Sequence, residues 1–178
     1  MSILSRGNRI RRITLDACLT ALAMTLSYLE LLLPLNLLIP LPGVRLGLAN
    51  VVVLIAFCLV SKLDAAIISA VRILLMGLLF GTVTSLWFSF LGGLLSYLTL
   101  LLLSHIGRGF SFLAVSVLSA AAHNTGQILA ATLLFEASVI FSYLPVLLLA
   151  SVFFGGIVGL LLNLLLPRLK TAWKGGSI

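Results

Sequence analysis

This sequence predicts an all-α integral membrane protein, a bundle of six transmembrane helices, and three observations predict it. Of its 178 residues 62% are hydrophobic and only 8% charged, too few polar groups to cover a soluble domain. The mean hydropathy is +1.31. Its apolar runs, such as ILLMGLLF at 73–80, do not alternate with polar residues as the strands of a membrane barrel must. The basic residues also collect at places that six crossings would bring to one side.

A bilayer core takes about 20 apolar residues per helix. The chain divides accordingly into segments at about 13–33, 47–61, 64–81, 84–104, 111–135 and 142–166. The first follows the basic stretch RGNRIRR and is apolar for too long to be a signal-peptide core, so it reads as an uncleaved helix. Pro34, Pro40 and Pro42 punctuate the loop after it, because proline removes a donor and clashes with the preceding turn. The second segment is short, either extended into that loop or tilted. Asp64 suits the start of the third, and Pro167 the end of the sixth. The division gives a basic segment at 1–12, one membrane domain at 13–168 and a basic tail at 169–178.

Topology follows from charge. Arg6, Arg9, Arg11 and Arg12 precede the first span, Lys62 lies between the second and third, and Arg108 between the fourth and fifth. Arg168, Lys170 and Lys174 follow the sixth. With six spans all of these share one side, which the positive-inside rule makes cytoplasmic, together with both termini. The same segregation accounts for the net charge of +7 without nucleic acid, since no basic face survives outside those loops. Cys18 and Cys58 sit in apolar runs as small hydrophobes, and no Cys/His spacing suggests a metal. No Walker lysine motif, GxSxG elbow or HExxH site is present, and no cofactor is called for.

Against this background a few polar residues need a reason. Arg72 lies near the middle of the third span, where an arginine costs at least about 2.5–3.5 kcal/mol unless it faces protein or a watery cavity. The fifth span carries AAAHNTGQILAA, which puts His123, Asn124 and Gln127 at the bilayer centre, with His123 and Gln127 on one helical face. Glu30 falls near the outer end of the first span and Asn50 in the outer part of the second. Arg45, in PLPGVRLGLAN, is the one basic residue in an outer loop. All seven map to the middle or outer half, which suggests a polar cavity opening outward. Structural readings compete: Arg72 ion-paired with Glu30, His123 and Asn50 as interhelical hydrogen-bonding residues. Small residues four apart, Ala17 and Ala21, Gly77 and Gly81, Gly155 and Gly159, permit close helix approach as in many bundles.

At LSYLELLLPLNLLIPLPGVRLGLANVV, RILLMGLLFGT and AAAHNTGQILAA the chain resembles the bacterial Gx transporter family, historically labelled heptaprenyl diphosphate synthase component I. That family is grouped with the substrate-binding S components of energy-coupling-factor (ECF) vitamin transporters, and the resemblance covers about residues 13–168. It implies six helices and an extracellular ligand site covered by the loop between the first two. It also implies a separate transmembrane coupling protein and two cytoplasmic ATPases as partners, in a bacterial cytoplasmic membrane. Small residues spaced AxxxA in the first helix dock such proteins on the coupling protein, and Ala17 and Ala21 fit that pattern. The enzyme label meets a physical objection, because prenyl diphosphate synthases hold magnesium-diphosphate with clustered aspartates. Here there are two, Asp16 and Asp64, far apart.

The expectation is a non-enzymatic substrate-capture protein for a small vitamin-like, flavin- or prenyl/quinone-related molecule. Arg45 and Arg72 would meet an anionic group, while Asn50, His123, Asn124, Gln127 and Glu30 supply hydrogen bonds. Two alternatives stand beside it. One is a non-catalytic membrane subunit of a prenyl synthase or electron-transfer assembly. The other is a self-sufficient carrier in which Glu30 or His123 handles protons.

Overall fold

The computed structural model describes residues 6–32, 47–106 and 110–175, and helix dominates all three stretches. The helices are α1 (Arg6–Leu32), α2 (Asn50–Leu59), α3 (Lys62–Phe80), α4 (Val83–Ile106), α5 (Phe112–Phe135) and α6 (Leu144–Gly175). A short 3-10 helix at Ser138–Tyr143 leads into α6. Among the described residues four stretches are long and apolar enough to cross a membrane: Ile10–Leu32, Lys62–Phe80, Val83–Ile106 and Ser138–Thr171. The chain is thus a multi-pass membrane protein. At 24 residues α5 has the length to cross, about 36 Å, but His123, Asn124 and Gln127 dilute its middle. The ten residues of α2 span only about 15 Å, half a bilayer core.

Hydroxyls at the chain reversals set several helix starts. Ser61 precedes α3 and its Oγ accepts from the Asp64 amide at 3.2 Å. Ser61, not Asp64, is therefore the cap of the third helix; the Asp64 carboxylate instead accepts from Ser61 Oγ and from Arg12 of α1. Thr82 and Ser111 cap α4 and α5 in the same way, accepting from the Ser85 and Ala114 amides. Glu136 ends α5 in the left-handed region at φ 51°. Pro167 does not end the sixth helix, which runs through it to Gly175. Leu166 beside it is buried, but Pro167 and Asn163, whose carbonyl loses its partner, are exposed, so the proline meets few packing constraints.

In the packing order α1 lies on α3, α3 on α4, α4 on α5 and α5 on α6, and α2 fills the space between α1, α3 and α6. The α4–α5 and α5–α6 pairs are the most intimate. Glycine makes this possible: a Cβ at Gly126 would fall 2.6 Å from the Leu91 carbonyl oxygen, and one at Gly159 2.5 Å from Leu113 Cα. Around α2 the inner core gathers Val52–Ala56 with Leu19, Ala65, Ile68, Leu100 and Leu162. A second core of Phe88, Ile128, Ala131, Ile140 and Leu147 lies at the opposite end. Polarity is inverted relative to a water-soluble protein. Leu78, Val83, Leu133 and Leu149 are more than two-thirds exposed, while Arg72, His123, Asn124 and Gln127 are 5% exposed or less. That pattern suits lipid outside and polar contacts inside.

Candidate functional site

The half-length of α2 determines where the site is. Asn50, its first residue, is buried, and Gly47 in the turn before it packs against His123, midway along α5. A Cβ on Gly47 would lie 3.1 Å from His123 Cδ2, and one on Gly92 2.9 Å from His123 Nδ1. The His123 ring is therefore held between the two glycines. Gly47 adopts φ +80°, a conformation that side chains other than glycine's rarely take. The start of α2 thus reaches the interior of the bundle.

The amides of Asn50, Val51 and Val52 bond back to the carbonyls of Gly47, Leu48 and Ala49, so this turn continues the helix. The helix-end donors now include those of Gly47 and Leu48. Both donate to Glu30 Oε1 on α1, the Gly47 amide closely and the Leu48 amide at 3.4 Å. A carboxylate at a helix N-terminus satisfies its orphan N–H groups and complements the positive end of the helix dipole.

Arg72 of α3 approaches from the other side. Its Nη2 donates to Asn50 Oδ1 at 3.5 Å and its Nη1 to Ser27 Oγ of α1 at 3.4 Å. Both are long contacts, and they tie the guanidinium to α1 and to the start of α2. Asn50 Nδ2 is buried and has no hydrogen-bond partner among the described residues. Next to it runs a cleft of about 10 Å³, room for about one water, bordered by Gly47, Asn50, Ser116, Ser119 and Phe154.

On α5 the i, i+4 pair meets as its spacing predicts. Gln127 Nε2 lies 2.7 Å from His123 Nε2. With the amide as donor, the ring nitrogen accepts and the imidazole carries its proton on Nδ1. Asn124 points elsewhere. Its Nδ2 donates to the Leu147 carbonyl and to Ser151 Oγ of α6, at 3.0 and 2.8 Å.

The structure thus brings together Glu30, Asn50, Arg72, His123 and Gln127, and directs Asn124 to a helix–helix contact. Arg45 lies outside the described residues, as does most of the proline-rich loop. Ala17 and Ala21 are exposed on the outer face of α1. Sequence reasoning missed Ser27, Gly47 and Gly92. Ser27 carries a signal, lying one turn before Glu30 on the same face. The two glycines are evident only once three helices are in place. Among the described residues no group of His, Cys, Asp and Glu could hold a metal ion. What the cluster can do is present a guanidinium and the Asn50 amide to an anionic or hydrogen-bonding group, while the positive end of α2 is already met by Glu30.

No curated protein and no solved structure matches the chain. A family model does, over residues 19–165, a stretch holding every described member of the polar cluster. The chain belongs to the family described as heptaprenyl diphosphate synthase component I.

Proposed function

We propose that this protein captures a small anionic molecule at the outer half of a bacterial cytoplasmic membrane, in the manner of an ECF S component. The supporting observation is the buried cluster of Arg72, Asn50, Glu30, His123 and Gln127 around the end of α2. A mid-membrane arginine costs several kcal/mol even on permissive scales, and such residues mark ligand or ion pathways. In this reading Arg72 meets a carboxylate or phosphate, Asn50, His123 and Gln127 orient polar edges, and Arg45 belongs to the covering loop. The ligand is vitamin-like, flavin-like or prenyl/quinone-related. A coupling protein docks on the Ala17–Ala21 face, two ATPases supply energy, and the basic termini lie in the cytoplasm.

The test is mass spectrometry of small molecules retained by the full chain after purification in mild detergent. Wild type retains a ligand, and Arg72→Ala loses it at least tenfold while remaining monodisperse. Equal retention by the variant, or none by wild type, overturns the reading. A second reading draws on the family description: a non-catalytic membrane subunit of a prenyl diphosphate synthase. A soluble synthase polypeptide co-purifying with a ligand-free chain would favour it.

A further inference from the structure

A second cavity shares no residue with the polar cluster. Between α3 and α4 runs a fissure of about 350 Å³, within the range of small-molecule sites. Its floor is made of small residues, Ala66, Ser69, Ala70 and Gly93, and its walls include Phe90 and Tyr97. Ala70, Leu74, Phe90 and Leu94 are exposed, so it opens on the outer surface of two membrane-crossing helices, where lipid lies. Small residues facing each other across two helices leave a slot that bulky side chains would fill. From Ala66 to Leu74 it extends about 12 Å along α3.

One end of the slot is polar. Tyr97 donates its hydroxyl proton to the Lys62 carbonyl at 2.8 Å, which closes the fissure one turn below Ala66. Beyond that closure the Lys62 ammonium is exposed, donating to Ser104 Oγ and lying 5.9 Å from the Phe57 ring. A lysine at a span end with a tyrosine beside it is the arrangement found at a headgroup interface. Basic pockets between membrane helices recognise anionic headgroups.

We infer that the α3–α4 fissure binds one acyl chain of an anionic phospholipid whose headgroup phosphate sits at Lys62. The apolar slot holds the chain, and Lys62 selects the charge.

Native mass spectrometry of the full chain, released from vesicles of equal phosphatidylglycerol and phosphatidylcholine, tests this. Wild type is expected to retain one phosphatidylglycerol, favoured about fivefold as one lysine near an anionic headgroup contributes. Lys62→Ala should remove the preference. Ala70→Phe should remove retention of either lipid, whereas Leu78→Phe, on an exposed position outside the slot, should not. Because Ala70→Phe can misfold, Ala70→Leu and Ala66→Leu are run beside it, with melting temperature as the check on folding. The inference is overturned if well-folded slot-filled variants keep the lipid, if Lys62→Ala keeps the preference, or if wild type retains a neutral isoprenoid or no lipid.

Discussion

Glu30 Oε1 accepts hydrogen bonds from the backbone amides of both Gly47 and Leu48, so a carboxylate from α1 closes the buried end of α2. Glu30→Ala leaves two half-buried donors without that acceptor and should cost about 1.5–3 kcal/mol, the range for bonds to a charged group. Glu30→Gln keeps an acceptor oxygen and should recover at least half. Unfolding monitored by circular dichroism in detergent separates the two. Equal losses would mean that the charge, not the acceptor, holds α2.

His123 and Asn124 are neighbours in sequence with different tasks. Asn124 binds α6 through the Leu147 carbonyl and Ser151 Oγ, while Ser151 itself also bonds that carbonyl. Asn124→Ala should therefore cost about 0.6–1.7 kcal/mol, as interhelical hydrogen bonds in membranes do, and leave ligand retention unchanged. Gln127→Ala should show the opposite pattern, with small stability loss and retention reduced at least fivefold. Melting temperature and retained ligand, measured on both variants, decide it.

Two glycines offer a matched pair. A Cβ at Gly126 would fall 2.6 Å from the Leu91 carbonyl and 2.8 Å from Gly92 Cα, backbone atoms that cannot step aside without parting α4 from α5. At Gly156 nothing lies within 4 Å. Gly126→Ala should destabilise by about 1–3 kcal/mol, the range for overpacking. Gly156→Ala should stabilise by up to about 1 kcal/mol, because alanine orders a helix interior at lower entropic cost. Thermal melts of the two variants should shift in opposite directions.

Much of this was legible in the sequence. Hydropathy located all six helices, and the inward polar residues stood out because lipid tolerates so few. His123 and Gln127 could be paired because i, i+4 spacing fixes a common face. Asn124 could not be assigned: one residue further along, an α-helix has turned by about 100°, which aims it at a different neighbour. Glu30 was read beside Arg72 as a charge seeking a charge. Two of the groups it bonds are main-chain N–H groups of a turn, which an inventory of side chains does not contain. Nor does apolarity alone show that α2 stops after ten residues. That depends on where the preceding chain turns, through a glycine at positive φ.

The brevity of α2 also bears on how the protein is made. A segment of about 15 Å is too short to partition into a bilayer as an independent span, and its exposed backbone ends could not be left in hydrocarbon. It has to be carried in by its neighbours. Glu30 on α1 is synthesised before it and Arg72 on α3 after it, and contacts from both reach its first turn. On this geometry α2 has its full surroundings only once α3 is in place, and the buried polar cluster is complete only then.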